Sequence, residues 1–227
     1  MHEPTIDLSA LSGRSFGAVL FDNDGTLVDS IAAVEACWQQ WAREYGVNPA
    51  HITNLHGQPS DVLVAGLVSA DRFPAAAARI RQLELEASYP VRVLPGAVAA
   101  LQATAGRNAI VTSATRALFQ HRIEQTGLPA PQLAVTSDDV TRGKPDPEPY
   151  LVAASRLGYA PEECLVVEDA PAGVRAGHAA GSAVLGIDSA PDRSMQGEPL
   201  RADAVVPDLS FVRFTLHGGA IRVEVAS

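Results

Sequence analysis

The chain has 227 residues, 47% of them hydrophobic, with 26 acidic against 17 basic side chains and a net charge of −9. That length suits one medium domain or a domain with an insertion, and the acidic balance argues against nucleic acid or anionic membrane as partners. Cys37 and Cys164 are far apart and lack CxxC or Cys/His spacing, which excludes a disulfide framework or zinc site. The first sixteen residues have no basic or apolar leader pattern, and no apolar run approaches the roughly 20 residues of a membrane helix. The expectation is a soluble, cytoplasmic protein, a monomer or weak homodimer.

In chain order, a polar lead-in gives way to a predicted strand at 17–21. It ends in Phe21-Asp22-Asn23-Asp24-Gly25-Thr26. Asp22 is the first residue past the strand, where open α/β sheets bind ligands. Asp22 and Asp24, two residues apart, can converge on one point, and two carboxylates so close call for a cation or a shared proton. Gly25 permits the turn that follows.

From Ser30 the apolar residues Ile31, Val34, Cys37, Trp38, Trp41 and Tyr45 recur at three- and four-residue spacing, predicting a helix closed by Gly46. The two tryptophans read as its core-facing stripe. A polar loop, His51 to Asp61, follows, with Ser60 or Asp61 placed to cap a helix through Leu67. A further helix runs from about Pro74 to Ala87. No strand is expected between 30 and 92, so residues 29–93 read as a helical insertion. Tyr89-Pro90 to Gly96 forms the return linker.

After Gly96, helices at 96–105, 115–126, 147–157 and 171–180 alternate with strands at 108–112, 133–136, 164–168 and 183–187, and a short strand follows at 204–206. This is the signature of a parallel sheet wrapped by helices. The tail from Phe211 to Val225 predicts a hairpin added to the sheet edge.

Three further stretches carry chemistry. Thr112-Ser113-Ala114-Thr115 places hydroxyls between a strand end and a helix start, an arrangement that can hold phosphate. Arg142-Gly143-Lys144-Pro145-Asp146-Pro147 contains the single lysine of a chain with sixteen arginines. Arginine meets every other need for positive charge, so Lys144 is suspected of supplying a compact ammonium that arginine cannot replace. Glu168-Asp169 ends another strand in two carboxylates and completes an acidic cluster with Asp22 and Asp24, hard oxygen ligands of the kind Mg²⁺ takes. Asp138-Asp139, at an expected turn, reads as an ordinary solvated pair.

In this order and spacing, FDNDGT, VTSAT, RGKPDP and VVEDAPAG resemble the four motifs of the haloacid dehalogenase superfamily of phosphohydrolases, most nearly bacterial sugar and polyol phosphatases. The resemblance implies a doubly wound α/β core at 1–28 and 94–227 with a helical cap at 29–93. It implies Asp22 as nucleophile, Asp24 as general acid/base, and Lys144 paired with the nucleophile and the phosphoryl oxygens. Asn23, Ser113 or Thr112, and Ala114 would hold phosphate. Mg²⁺ would be held by Asp22, the Asp24 carbonyl and Asp169, with Glu168 direct or one shell out. The partner implied is a small phosphorylated metabolite, with His56, Gly57 and Gln58 as candidate cap contacts. The alternatives are a β-phosphoglucomutase-like mutase, disfavoured because Val34 stands where that group carries a cap histidine, and a phosphoglycolate-type phosphatase. A non-enzymatic binding protein is disfavoured because the catalytic positions are intact.

Overall fold

The structure is a computed structural model and describes residues 6–52, 57–87, 89–129, 131–188 and 199–226. Its centre is a parallel sheet of six short strands among the described residues: β1 (Ala18–Phe21), β4 (Asn108–Val111), β5 (Ala134–Val135), β6 (Cys164–Glu168), β7 (Ala183–Ile187) and β8 (Ala204–Val206). Their order is β5-β4-β1-β6-β7-β8, so β1 lies between β4 and β6 and the winding reverses there. Phe21 is in register with Ile110 on one side and Val167 on the other, which brings the C-terminal ends of the three strands level.

Both faces of the sheet are covered. Along β1 the side chains alternate, Val19 and Phe21 into one core and Ala18 and Leu20 into the other. Helices α6 (Glu148–Leu157) and α7 (Pro171–Ala179) cover the Leu20 face with Tyr150, Ala153, Val174 and Ala176. Helices α4 (Ala97–Ala103) and α5 (Arg116–Thr126) supply Leu101 and Phe119 to the Phe21 face.

The C-terminal hairpin, β9 (Val212–His217) and β10 (Ala220–Val225), forms where expected but does not extend the edge of the six-stranded sheet. Phe214, Ile221 and Val223 turn inward and pack on the Phe21 face, with the rings of Phe21 and Phe214 edge-on at 5.8 Å. Two backbone hydrogen bonds between Phe16 and Ile221 (2.7 and 2.8 Å) hold the hairpin instead. Its alternation of apolar and polar residues satisfies a face as well as an edge, and an exposed face of the main sheet is costlier to leave bare.

Between β1 and α4 the chain builds α1 (Ile31–Tyr45), α2 (Ser60–Leu67) and α3 (Phe73–Glu86) around a separate apolar cluster. Trp38 and Trp41 are buried in it. Trp41 Nε1 donates to the Ala76 carbonyl at 2.9 Å, joining α1 to α3. Gly46 ends α1 in the left-handed conformation. Two local expectations fail. Ser60 is the first residue of α2 after Pro59, and neither Ser60 nor Asp61 makes an N-cap bond; Asp61 instead takes both contacts from Arg81 (2.5 and 2.8 Å). The entry and exit linkers are also not plain loops. β2 (Val28–Asp29) and β3 (Arg92–Val93) pair as an antiparallel ribbon, too short to leave an alternating pattern. Among the described residues no helix is long and apolar enough to cross a membrane.

Trp41→Ala should lower the stability of the α1–α3 unit by about 3–5 kcal/mol. Both tryptophans of the chain lie in α1, so the remaining Trp38 fluorescence reports on this unit during denaturant unfolding. An unshifted midpoint would show that the cluster around Trp41 is not what holds the unit together.

Candidate active site at the strand ends

Because β1, β4 and β6 end level, Asp22, Thr112 and the Glu168-Asp169 pair emerge side by side. The Asp22 N–H donates to the Val167 carbonyl at 2.9 Å, and the Thr112 N–H to Val135 at the same distance, so the backbone is fixed up to the first site residue of each strand. Gly25 then turns the chain with φ of 88°. A Cβ there would lie 2.0 Å from an Asp169 carboxylate oxygen, so only glycine lets the two acidic loops approach this closely.

Lys144 crosses from the loop before α6 into this cluster and is completely buried. Its ammonium donates to Asp22 Oδ1 at 2.6 Å, Glu168 Oε1 at 2.7 Å and the Val111 carbonyl at 2.8 Å, using all three protons. The ring of Tyr150 lies against the ammonium, 5.0 Å from nitrogen to centroid, and its hydroxyl donates to Glu168 Oε1 at 2.8 Å. Glu168 Oε2 accepts the Ala170 N–H at 3.0 Å. Burial raises the Asp22 carboxyl to about 7, against the pull of Lys144. Burial works against the charge on Lys144, but the Asp22 and Glu168 carboxylates overcome it and hold the amine above its ordinary value.

Asp22, Glu168 and Asp169 each offer a buried carboxylate oxygen, all within 4.8 Å of one another. The donors are all hard oxygens gathered at one point, a set that fits a divalent cation. The Asp24 side chain is not part of this group. It points away, into a cavity of about 60 Å³, where it accepts from Ser30 Oγ at 2.6 Å and pairs with the Arg122 guanidinium.

The two hydroxyls of the predicted phosphate turn differ in direction. Thr112 Oγ1 sits 3.4 Å from Asp24 Oδ2 and accepts the Ala114 N–H at 3.1 Å. Ser113 Oγ donates to the Gly57 carbonyl at 3.0 Å, joining the core to the loop before α2. Both line the cavity, as do Ala114, Gly57 and Gln58. Asn23 is fully buried behind Asp24, its amide 3.3 Å from Asp24 Oδ2. His56 lies outside the described residues. Asp138 and Asp139 are taken up locally: Asp138 accepts the Arg116 N–H at 2.9 Å, and Asp139 binds Thr136 and the Arg116 and Arg156 side chains.

Three residues of this region escape a motif-based reading: Tyr150, Arg122 and Glu84. Arg122 on α5 is buried, and a signal existed, since it shares the helix face of Leu118 and Phe119, where a surface arginine does not belong. Glu84 projects from α3 onto the same cavity. Burial pushes its carboxyl up to about 7, with Arg122 drawing it back.

An α/β sheet whose switch point gathers buried carboxylates, a buried lysine and a hydroxyl turn defines a phosphate-handling hydrolase site. The chain belongs to the haloacid dehalogenase-like hydrolase family, whose profile matches residues 19–187. Within that family it is a phosphatase. It is 40% identical over 204 residues to hexitol phosphatase A of Escherichia coli (strain K12), covering 86% of this chain and 93% of that one. It is 36% identical to glycerol-1-phosphate phosphohydrolase 2 of Saccharomyces cerevisiae (strain ATCC 204508 / S288c), covering 75% and 74%. Among solved structures, a HAD family hydrolase from Deinococcus radiodurans R1, with bound phosphate and sodium, is 31% identical with a TM-score of 0.55, covering 82% of this chain and 83% of that one.

Two substitutions test this packing. Lys144→Met leaves Asp22 and Glu168 buried without their counter-charge and should cost about 3–5 kcal/mol in denaturant unfolding. Gly173→Ala should destabilise as well, although helix propensity alone predicts a gain of about 1 kcal/mol. The added Cβ would fall 1.6 Å from Glu168 Oε1. A stabilised Gly173→Ala protein would mean that the Glu168 side chain is not held where it is described.

Proposed function

We propose that the protein hydrolyses the phosphomonoester of a small phosphorylated sugar or polyol through an aspartyl-phosphate on Asp22, with Mg²⁺ as cofactor. The observation that carries this is the division of the two motif aspartates. Both line the cavity, but Asp22 is locked on Lys144 among the acidic cluster, while Asp24, two residues on, is turned toward Ser30 and Arg122. One carboxylate is held as a nucleophile and the other is placed to meet the leaving group.

In the first step an Asp22 oxygen attacks phosphorus, the bond from phosphorus to the substrate oxygen breaks, and Asp24 gives that oxygen its proton. In the second, Asp24 takes a proton from water as the water oxygen attacks phosphorus, and the bond from phosphorus to Asp22 breaks, restoring the carboxylate. Lys144 keeps Asp22 ionised against its burial and offsets charge on the transferring group. Ser113, Thr112 and the N–H groups around Asn23, Asp24 and Ala114 bind the phosphoryl oxygens. Asp22, Asp169 and the Asp24 carbonyl are the groups to hold Mg²⁺. Glu168, both of whose oxygens are already engaged, would act one shell out. When bound, the ion neutralises phosphoryl charge in the transition state.

The unit at 29–93 is the cap over this site, the core being 1–28 and 94–227. The cap closes over the substrate and excludes bulk water from the reaction. Val34 on the cavity wall offers nothing that could exchange a proton, which supports hydrolysis over a mutase reaction.

The test is phosphate release across a panel of phosphorylated sugars, polyols and short acids. Asp22→Asn should reduce kcat by about 10⁴-fold or more, and turnover retained in that variant removes Asp22 from the chemistry. Chelator should abolish release and added Mg²⁺ restore it. Release that persists in chelator rules out the metal.

A further inference from the structure

The cavity beyond Asp24 is where the leaving group must lie, and besides Asp22 and Asp24 its charged lining comes from two residues that no motif contains. Arg122 reaches it from the core and Glu84 from the cap. Arg122 is the buried arginine among the described residues, and its guanidinium is already paired with Asp24. The neighbouring cation, Arg81, is likewise matched, bound by both oxygens of Asp61. Glu84 has no such counter-charge of its own: it shares Arg122 with Asp24. The rest of this wall is uncharged, with Gln58 and Ser60 polar and Trp38 and Leu63 apolar.

We propose that Glu84, facing Arg122 across the cavity, selects substrates whose leaving group is neutral and polyhydroxylated and rejects those that carry a second negative charge. This rests on the phosphatase reading above and narrows its substrate class. A carboxylate is an acceptor only, so it is satisfied by hydroxyl donors, and two adjacent hydroxyls can bind its two oxygens. The Arg122 N–H groups not used by Asp24 donate to hydroxyl oxygens in the same reach. A leaving group with a carboxylate or second phosphate meets Glu84 as a like charge inside a partly desolvated cavity. There repulsion is far stronger than in water, and Arg122, the cation lining the cavity among the described residues, is already shared by two carboxylates. Discrimination thus comes from a repulsive element as well as an attractive one.

The experiment compares kcat/KM for a hexitol 6-phosphate with that for 2-phosphoglycolate on the same enzyme preparation, so that the active fraction cancels. It is run with Mg²⁺ at pH 8, where Glu84 is ionised. The wild type should prefer the hexitol phosphate by about 100-fold or more. Glu84→Gln keeps shape and hydrogen bonding but removes the charge; it should reduce that ratio by about tenfold or more, through a rise with 2-phosphoglycolate as well as a fall with the hexitol phosphate. Glu84→Asp, which keeps the charge, should retain most of the preference. An unchanged ratio in Glu84→Gln, with hexitol phosphate still hydrolysed, overturns the proposal while leaving the phosphatase reading intact. A wild type that hydrolyses neither compound overturns the sugar or polyol reading and this proposal with it.

Discussion

The buried ammonium of Lys144 is the constraint on which the rest of the site depends. An uncompensated charge at this depth would be prohibitively costly, and its three protons are met by Asp22, Glu168 and the Val111 carbonyl. Those partners come from three adjacent strands, so the ion pair exists only if β1, β4 and β6 end level. The converse also holds. Asp22 and Glu168 can be buried side by side only because Lys144 lies between them. Buried ion networks of this kind add little net stability over an apolar core, so a reason for retaining this one lies in what it holds in place.

Much of this was legible in the sequence because the relevant physics is local. A strand that stops in a carboxylate, a turn with glycine and a single lysine among sixteen arginines leave marks on a few contiguous residues. The helices around Trp41 and Tyr150 were readable from their spacing for the same reason. What was hidden depends on packing between distant segments. The hairpin at 212–225 shows its alternation but not which surface it covers; that is decided by the bare face beside Phe21. The ribbon of Val28–Asp29 with Arg92–Val93 is two residues a side, below the length at which a period can be seen. Asp61 looked like a cap because the sequence cannot show that Arg81, a helix away, competes for it.

The site's residues divide in the same way. Asp22, Asp24 and Asp169 belong to contiguous motifs at strand ends, and Lys144 to one in the loop before α6. Arg122 and Glu84 lie within helices and outside any motif; Arg122 breaks the apolar face of Leu118 and Phe119, and both gain their meaning only where α3 and α5 face each other over the cavity. On the proposed reading, the chemical step is written in the loops of the sheet, whereas the choice of substrate is written across the seam between the sheet and the α1–α3 unit. The Ser113 contact with the Gly57 carbonyl ties the two together at one point of that seam.

The solitary lysine has a consequence for how the molecule can be observed. Apart from the chain terminus, the protein has one aliphatic amine, and it is sealed inside the site. An isotope label on lysine therefore gives a single side-chain resonance, which reports directly on the charge and occupancy of the acidic cluster. Amine-directed reagents would find no exposed lysine on the closed molecule, so the rate at which they modify Lys144 would clock how often the site opens.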